Sequence, residues 1–231
     1  MVKRRLVMSR YKGKIFAIDG PTGSGKTTTA RELAGKVDFI HLESGAMYRA
    51  LAWFALKYNI DPKDSKKMTA AARKVPLALY PEQGRIIING IDVTAEIKVP
   101  EVNRCVAQVA AHKGVRKAMI IRQRQLARDG SVVAEGKDTT TTVFPGADIK
   151  VYLDASREIR AERRFLELTK MGIETTREEQ LAENKKRDIE DFNRKYSPLQ
   201  KASDAFVLDT SDLTVADQVD RILWHIKSVL K

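Results

Sequence analysis

The chain has a single cysteine, Cys105, in 231 residues. That excludes an internal disulfide and leaves no thiolate set for a structural zinc. A catalytic thiol is one reading of Cys105, and a half-buried helix residue is the plainer one. The three histidines, His41, His112 and His225, are far apart and show no metal-ligand spacing. No apolar run approaches the ~20 residues that cross a bilayer. The start Met1-Val2-Lys3-Arg4-Arg5-Leu6-Val7-Met8 has basic residues but too short an apolar stretch for a secretory signal, so a cytoplasmic setting is expected. Aromatics make up only 6% of the chain and do not interleave with the basic residues as stacking platforms for nucleic acid do. There is no internal repeat.

Positive charge, in contrast, is plentiful. Lys and Arg number 42 against 30 Asp and Glu, a formal charge of +12, which points to anionic partners such as nucleotides, nucleic acid or anionic membrane. The length suffices for one substantial core, so one main domain with insertions is expected.

The most specific feature is Gly20-Pro21-Thr22-Gly23-Ser24-Gly25-Lys26-Thr27, which fills every fixed position of G-x-x-x-x-G-K-[ST]. Glycines let the backbone wrap around phosphate with its N–H groups pointing inward, and a helix N-terminus behind the loop adds positive potential. Lys26 then reaches the terminal phosphates, and the Thr27 hydroxyl, followed by Thr28, is placed for Mg²⁺. Context agrees: Lys14 to Asp19 reads as a buried strand and Thr28 to Val37 as a helix. The loop predicts binding of Mg·ATP or a related triphosphate.

Further along, Phe39 to Leu42 is a second strand, followed by Ser44-Gly45-Ala46-Met47-Tyr48-Arg49 and an apolar helical pattern. Repetition of strand, turn and helix predicts an α/β protein with a parallel central sheet between helical layers, the three-layer P-loop fold. Between residues 61 and 100 the character changes to a small insert with strands at Leu77 to Tyr80 and Arg85 to Ile88 and a hairpin turn at Asn89-Gly90. Glu101 to Arg128 reads as a helix pair broken near Gly114. Strands follow at Ser131 to Glu135, Ile149 to Leu153 and Ala205 to Leu208. Helices are expected from Ser156 to Met171, closed by Gly172, and from about Glu178 to Arg194, with a polar, mobile-looking stretch at 173–180. A final amphipathic helix starts at the capping box Thr214-Val215-Ala216-Asp217.

Three constellations carry candidate chemistry. Arg160, Arg163 and Arg164 lie at i, i+3 and i+4, where each like pair costs roughly 0.2–0.5 kcal/mol unless an anion reverses the sign. They form either a solvated basic face or a mobile clamp over the transferring phosphate. Arg187, Asp191 and Arg194 share another face, as an ion-pair ladder or as a carboxylate orienting arginine forks toward phosphate. Ser44 and Arg49 follow the second strand, and Glu135-Gly136-Lys137-Asp138 ends a third, where an open parallel sheet delivers groups to its ligand crevice. Glu135 there either holds Mg²⁺ through water or is a structural carboxylate.

With these blocks the chain resembles the bacterial cytidylate kinases from about Ile15 to the C-terminus. The resemblance rests on Ile18-Asp19-Gly20-Pro21, Ser44 to Arg49, Gln108-Val109-Ala110-Ala111 with Val115-Arg116, Thr142-Val143-Phe144-Pro145, Leu153-Asp154-Ala155-Ser156, and Arg187-Asp188 with Asp191 and Asn193-Arg194. It implies transfer of the γ-phosphoryl of ATP to CMP or dCMP, and no stable nucleic-acid or membrane partner; a monomer is expected. It implies acceptor contacts at Ser44, Arg49, Arg116, Lys137, Asp138, Arg187, Asp191 and Arg194. Arg116 and Asp138 would lie near the base, Asp191 near the sugar, and Arg49, Arg187 and Arg194 near the acceptor phosphate. Arg160, Arg163 and Arg164 would act in a lid at about 157–186, with the insert at 61–100 on the monophosphate side. Residues 1–13 are expected to be a basic, partly disordered lead-in to a kinase domain at 14–231. Two positions depart from the pattern. The usual Gly-Arg-Asp-x-Gly-Thr reads Gly136-Lys137-Asp138 followed by Thr139 to Thr142, and a serine near the cytosine is Ala107. The rival readings are another acceptor, UMP or AMP, and a basic nucleic-acid-binding NTPase.

Overall fold

The computed structural model describes residues 10–230. Most of the expected lead-in therefore lies outside the described residues, but Tyr11, at its end, is buried and packs edge-on against Phe16 with ring centroids 6.0 Å apart.

Five strands form the central sheet: β1 (Ile15–Asp19), β2 (Ile40–Glu43), β6 (Val132–Gly136), β7 (Ile149–Asp154) and β8 (Phe206–Asp209). The order is β2-β6-β1-β7-β8, every pair parallel. These strands read as nearly continuous apolar runs because both sheet faces are covered. Alternation assigns the faces. Phe16, Ile18 and Val133 share a core with Leu33 and Val37 of helix α1 (Lys26–Val37) and with Val219, Ile222 and Ile226 of the C-terminal helix. Val132 and Ala134 point the other way, to Leu42, Ala127, Val143 and Phe144. The sheet is the middle of three layers, as the sequence predicts.

A second core lies beside the first. Met47 and Leu51 of helix α2 (Ser44–Lys57) pack with Met68 of α3 (Ser65–Lys74), with Ile86 and Ile88, and with Val102, Val109, Val115 and Met119 of α4 (Pro100–Ala111) and α5 (Lys113–Leu126). The three-stranded antiparallel sheet β3 (Leu77–Tyr80), β4 (Arg85–Ile88) and β5 (Ile91–Asp92) caps this core, with Asn89 and Gly90 in the turn between the last two strands. The insert thus shares its interior with helices on both sides of it in sequence.

Helix boundaries differ from expectation in three places. Helix α1 starts at Lys26 rather than Thr28, because the phosphate loop runs directly into its first turn. The break between α4 and α5 falls at His112, whose backbone is extended and whose ring Nε2 meets the Pro62 carbonyl oxygen at 2.7 Å; Gly114 lies inside α5. The stretch expected to be mobile is already helical from Arg177, where a capping box of Thr176 and Glu179 starts α7 (Arg177–Asn193). Helix α6 (Arg157–Lys170) precedes it, and the Thr214–Asp217 box opens α8 (Val215–Val229) as expected.

Candidate active site

The carboxyl ends of β1, β2 and β6 open into one crevice of about 940 Å³. In an open parallel sheet this is where ligands bind, where connections leave neighbouring strands in opposite directions; here that point lies between β1, whose chain goes on to β2, and β6, whose chain goes on to β7.

The phosphate loop forms one wall. Gly20 leaves β1 so close to β7 that a Cβ there would sit 2.0 Å from the Leu153 carbonyl oxygen, and Gly25 caps α1 at φ 91°. Both geometries require glycine. Lys26 is buried; its Nζ donates to the Pro21 carbonyl at 2.6 Å and lies 3.5 Å from Ser24 Oγ. Burial, and then Lys137 nearby, push its pKa down. Thr22, Gly23, Gly25, Lys26, Thr27 and Thr28 line the crevice, whereas Gly20, Pro21 and Ser24 shape the loop from behind.

Beside Lys26, the Thr27 hydroxyl donates to Glu135 Oε1 at 3.0 Å. Glu135 is 4% exposed, and its pKa is raised by burial and by Glu43, the residue opposite it in register on β2. Two hard oxygen donors at a buried acidic spot next to a phosphate loop fit Mg²⁺, which takes part of its shell from nucleotide phosphates.

The opposite wall is cationic. Arg49 pairs with Glu43. Arg187 makes no hydrogen bond or ion pair among the described residues, and burial together with Arg164 and Arg49 lowers its pKa. Asp191 and Glu43 offset this crowding only in part, which leaves the group suited to a further anion. Arg194 is held by Asp191, Nη1 to Oδ1 at 3.2 Å, and by the Ser197 carbonyl, but its Nη2 has no hydrogen-bond partner among the described residues, only an ion-pair contact with Asp138 Oδ1 at 3.9 Å. Asp191 in turn contacts Lys137 Nζ at 3.0 Å, and that ammonium also donates to Thr22 Oγ1 at 2.9 Å. The Lys137 substitution thus links the phosphate loop to α7.

At the far end Arg116 and Asp138 are both 3% exposed, with Nη2 and Oδ2 2.5 Å apart. This is a buried ion pair, and beyond it Arg116 Nε and Nη2 and Asp138 Oδ2 have no hydrogen-bond partner among the described residues. Arg116 also lies over the Tyr48 ring at 5.2 Å. Buried polar atoms left open beside a crevice are suited to a polar planar ligand. Ala107 and Ala110 line the same end and offer methyl groups only.

The three-arginine face does not act as one unit here. Arg160 is 4% exposed and lies outside the crevice lining. Its guanidinium donates to the Ala155 carbonyl at 3.1 Å, the Thr22 carbonyl at 3.0 Å and Asp188 Oδ2 at 2.8 Å. It braces the back of the phosphate loop against α7 rather than standing free as a clamp. Arg163 and Arg164 do line the crevice, the first donating to Thr210, the second to Glu167.

Sequence reasoning missed Glu43, Tyr48 and Gln218. Glu43 matters through its register opposite Glu135 and its pairing with Arg49, neither of which a helical spacing rule reveals. Gln218 accepts from the Thr29 hydroxyl at 2.6 Å across 189 residues of sequence, for which no local signal exists. His41 is mostly buried on β2, its Nε2 without a hydrogen-bond partner among the described residues, and burial lowers its pKa to about 4. The folded state then disfavours the imidazolium. Between pH 6.5 and 4 the unfolded chain binds the extra proton, so this group lowers stability as the pH falls, by up to about 3 kcal/mol. His41→Gln is expected to flatten that segment of the stability–pH curve measured by urea unfolding; an unchanged slope contradicts the assignment.

The family model described as cytidylate kinase matches residues 16–228. The chain is 42% identical to the cytidylate kinase of Bacillus velezensis over 90% of its length and 94% of that protein. It is 41% identical to the cytidylate kinase of Solibacter usitatus, with 95% of both chains covered. Among solved structures, an uncharacterized protein from Eubacterium ventriosum superposes with a TM-score of 0.52 at 13% identity, covering 93% of this chain and 99% of that one, a likeness of fold. Among the described residues no helix is long and apolar enough to cross a membrane.

Proposed function

The chain belongs to the cytidylate kinase family, and from that premise we propose that the crevice transfers the γ-phosphoryl of ATP to the 5′-phosphate of CMP or dCMP, giving ADP and CDP or dCDP. The observation that carries this reading is a single cavity with a phosphate loop on one wall and a cluster of incompletely paired arginines on the other.

The donor triphosphate lies in the loop, with Lys26 at its terminal phosphates. Thr27 and Glu135 would hold Mg²⁺, which would supply neutralisation of negative charge on the triphosphate. Arg49, Arg187 and Arg194 bind the acceptor phosphate and aim one of its oxygens at the γ-phosphorus. The new bond joins that oxygen to phosphorus as the bond to the β-phosphate oxygen breaks, and ADP departs with the electron pair. The acceptor phosphate, with a second pKa near 6, is already mostly a dianion at neutral pH, so no strong general base is required. Positioning and fixed cations supply the rate enhancement. Ser44 and Lys137 complete the acceptor wall, Asp191 faces the sugar, and Arg163 and Arg164 come from a lid at about 157–186, opposite the insert at 61–100.

Arg116 donates to the base and Asp138 Oδ2 accepts from an exocyclic amino group, which cytosine has and uracil lacks. With Ala107 offering no hydroxyl, that discrimination falls mainly on Asp138. Ala107→Ser is expected to raise the CMP-to-UMP preference in kcat/KM about tenfold; an unchanged ratio contradicts the placement of the base. The assignment as a whole is tested by ADP release with CMP, dCMP, UMP and AMP side by side. CMP and dCMP should dominate, and equal rates with AMP would overturn it.

A further inference from the structure

The turn that follows Asp138 departs from the family pattern described above, carrying threonine where Gly-Thr is usual, and its fastening is visible. Residues Thr139–Val143 form one π-helical turn whose first acceptor is the Asp138 carbonyl, bonded by Thr142 N at 2.8 Å and Val143 N at 3.0 Å. The carboxylate of Asp19, at the end of β1, lies beneath it with no solvent exposure. Asp19 Oδ1 accepts from Thr139 N at 2.9 Å, and Oδ2 accepts from Thr140 N at 2.7 Å and from the Thr140 hydroxyl at 2.6 Å. Thr140 is itself 1% exposed.

We propose that Thr140, acting through Asp19, is a positioning residue for base recognition, fixing the turn that holds the Asp138 carboxylate against the acceptor base. The inference rests on the reading of Asp138 given above. Asp19 pairs in register with Gly136 on β6 and with Tyr152 on β7, so its carboxylate is anchored at the centre of the sheet. Three donors from two consecutive residues immediately after Asp138 make that anchor rigid. A hydroxyl donating to a buried carboxylate is among the stronger neutral-to-charged hydrogen bonds, and its loss leaves one lone pair unmatched in a site closed to water. With Ala107 silent toward the base, the position of Asp138 Oδ2 decides between cytosine and uracil.

Thr140→Val keeps the shape and removes the donor. It is expected to raise KM for CMP about tenfold and lower the CMP-to-UMP preference about fivefold, with KM for ATP within about twofold of the parent enzyme. Thr140→Ser should restore both values. A parent-like CMP-to-UMP preference in Thr140→Val overturns the proposal, as does an equal loss for CMP and UMP that serine fails to rescue. If valine prevents folding, Thr140→Ala removes the same donor and is judged by the same ratio. Asp138→Asn, measured alongside, separates the two levels. If it collapses the preference and Thr140→Val does not, only the positioning role falls; if neither moves the preference, the assignment of Asp138 to the base falls as well.

Discussion

Replacing Lys26 with Met is expected to reduce kcat by about 10²–10³-fold while leaving the unliganded protein at least as stable as before. The two halves of this result have one cause. Lys26 is buried in the loop with Pro21 O and Ser24 Oγ as its hydrogen-bond partners among the described residues, and burial pushes its pKa down, so the folded state holds the ammonium at a cost in the absence of phosphate. Met keeps most of the volume and removes the charge. Thermal unfolding should therefore show an unchanged or higher Tm for the variant alone, and a loss of the Tm rise that ATP gives the parent. Turnover within about tenfold of the parent would contradict the role of the loop. A large fall in Tm without nucleotide would instead make Lys26 a structural residue.

Arg187→Met is expected to raise KM for CMP by about 10²-fold with KM for ATP nearly unchanged. The Arg187 side chain makes no hydrogen bond or ion pair among the described residues, and burial, then Arg164 and Arg49, disfavour its charge against the opposing pull of Asp191 and Glu183. Burial of this cation, with Arg164 and Arg49 nearby, outweighs the favourable charge of Asp191 and leaves a net cost in the apo protein that a bound phosphate reduces. Removing it should leave Tm unchanged or raise it, while CMP should lose most of its stabilising effect. A variant with a raised KM for ATP alone would move Arg187 to the donor side. A fall in apo Tm would show that it supports the fold instead.

Much of the fold was legible because its signals are local. Strand β1, the glycine loop and helix α1 are contiguous in sequence, and the apolar runs of β6 and β7 reflect burial on both faces. The Thr214 capping box was visible for the same reason, and the equivalent box at Thr176 and Glu179 could have been found by the same rule. What the sequence does not carry is partnering across the fold. The spacing of Arg160, Arg163 and Arg164 puts them on neighbouring positions of one helix, yet only the tertiary packing turns Arg160 inward to Asp188 and Thr22 and leaves the other two along the crevice. Nor does sequence place Glu43 opposite Glu135, since that register depends on β2 adding to β6 across a long connection. The hydroxyl of Thr140 reads as part of a polar run of four threonines until Asp19 is found beneath it.

The central claim is that one crevice brings a triphosphate and a cytidine monophosphate together for direct transfer. Incubating the protein with γ-labelled ATP, Mg²⁺ and CMP, and separating the products, tests it most directly. The structure predicts label appearing in the terminal phosphate of CDP, only when CMP is present, with almost none released as inorganic phosphate. Label released as inorganic phosphate at the same rate with or without CMP, or at a rate that single-stranded RNA raises, would contradict it.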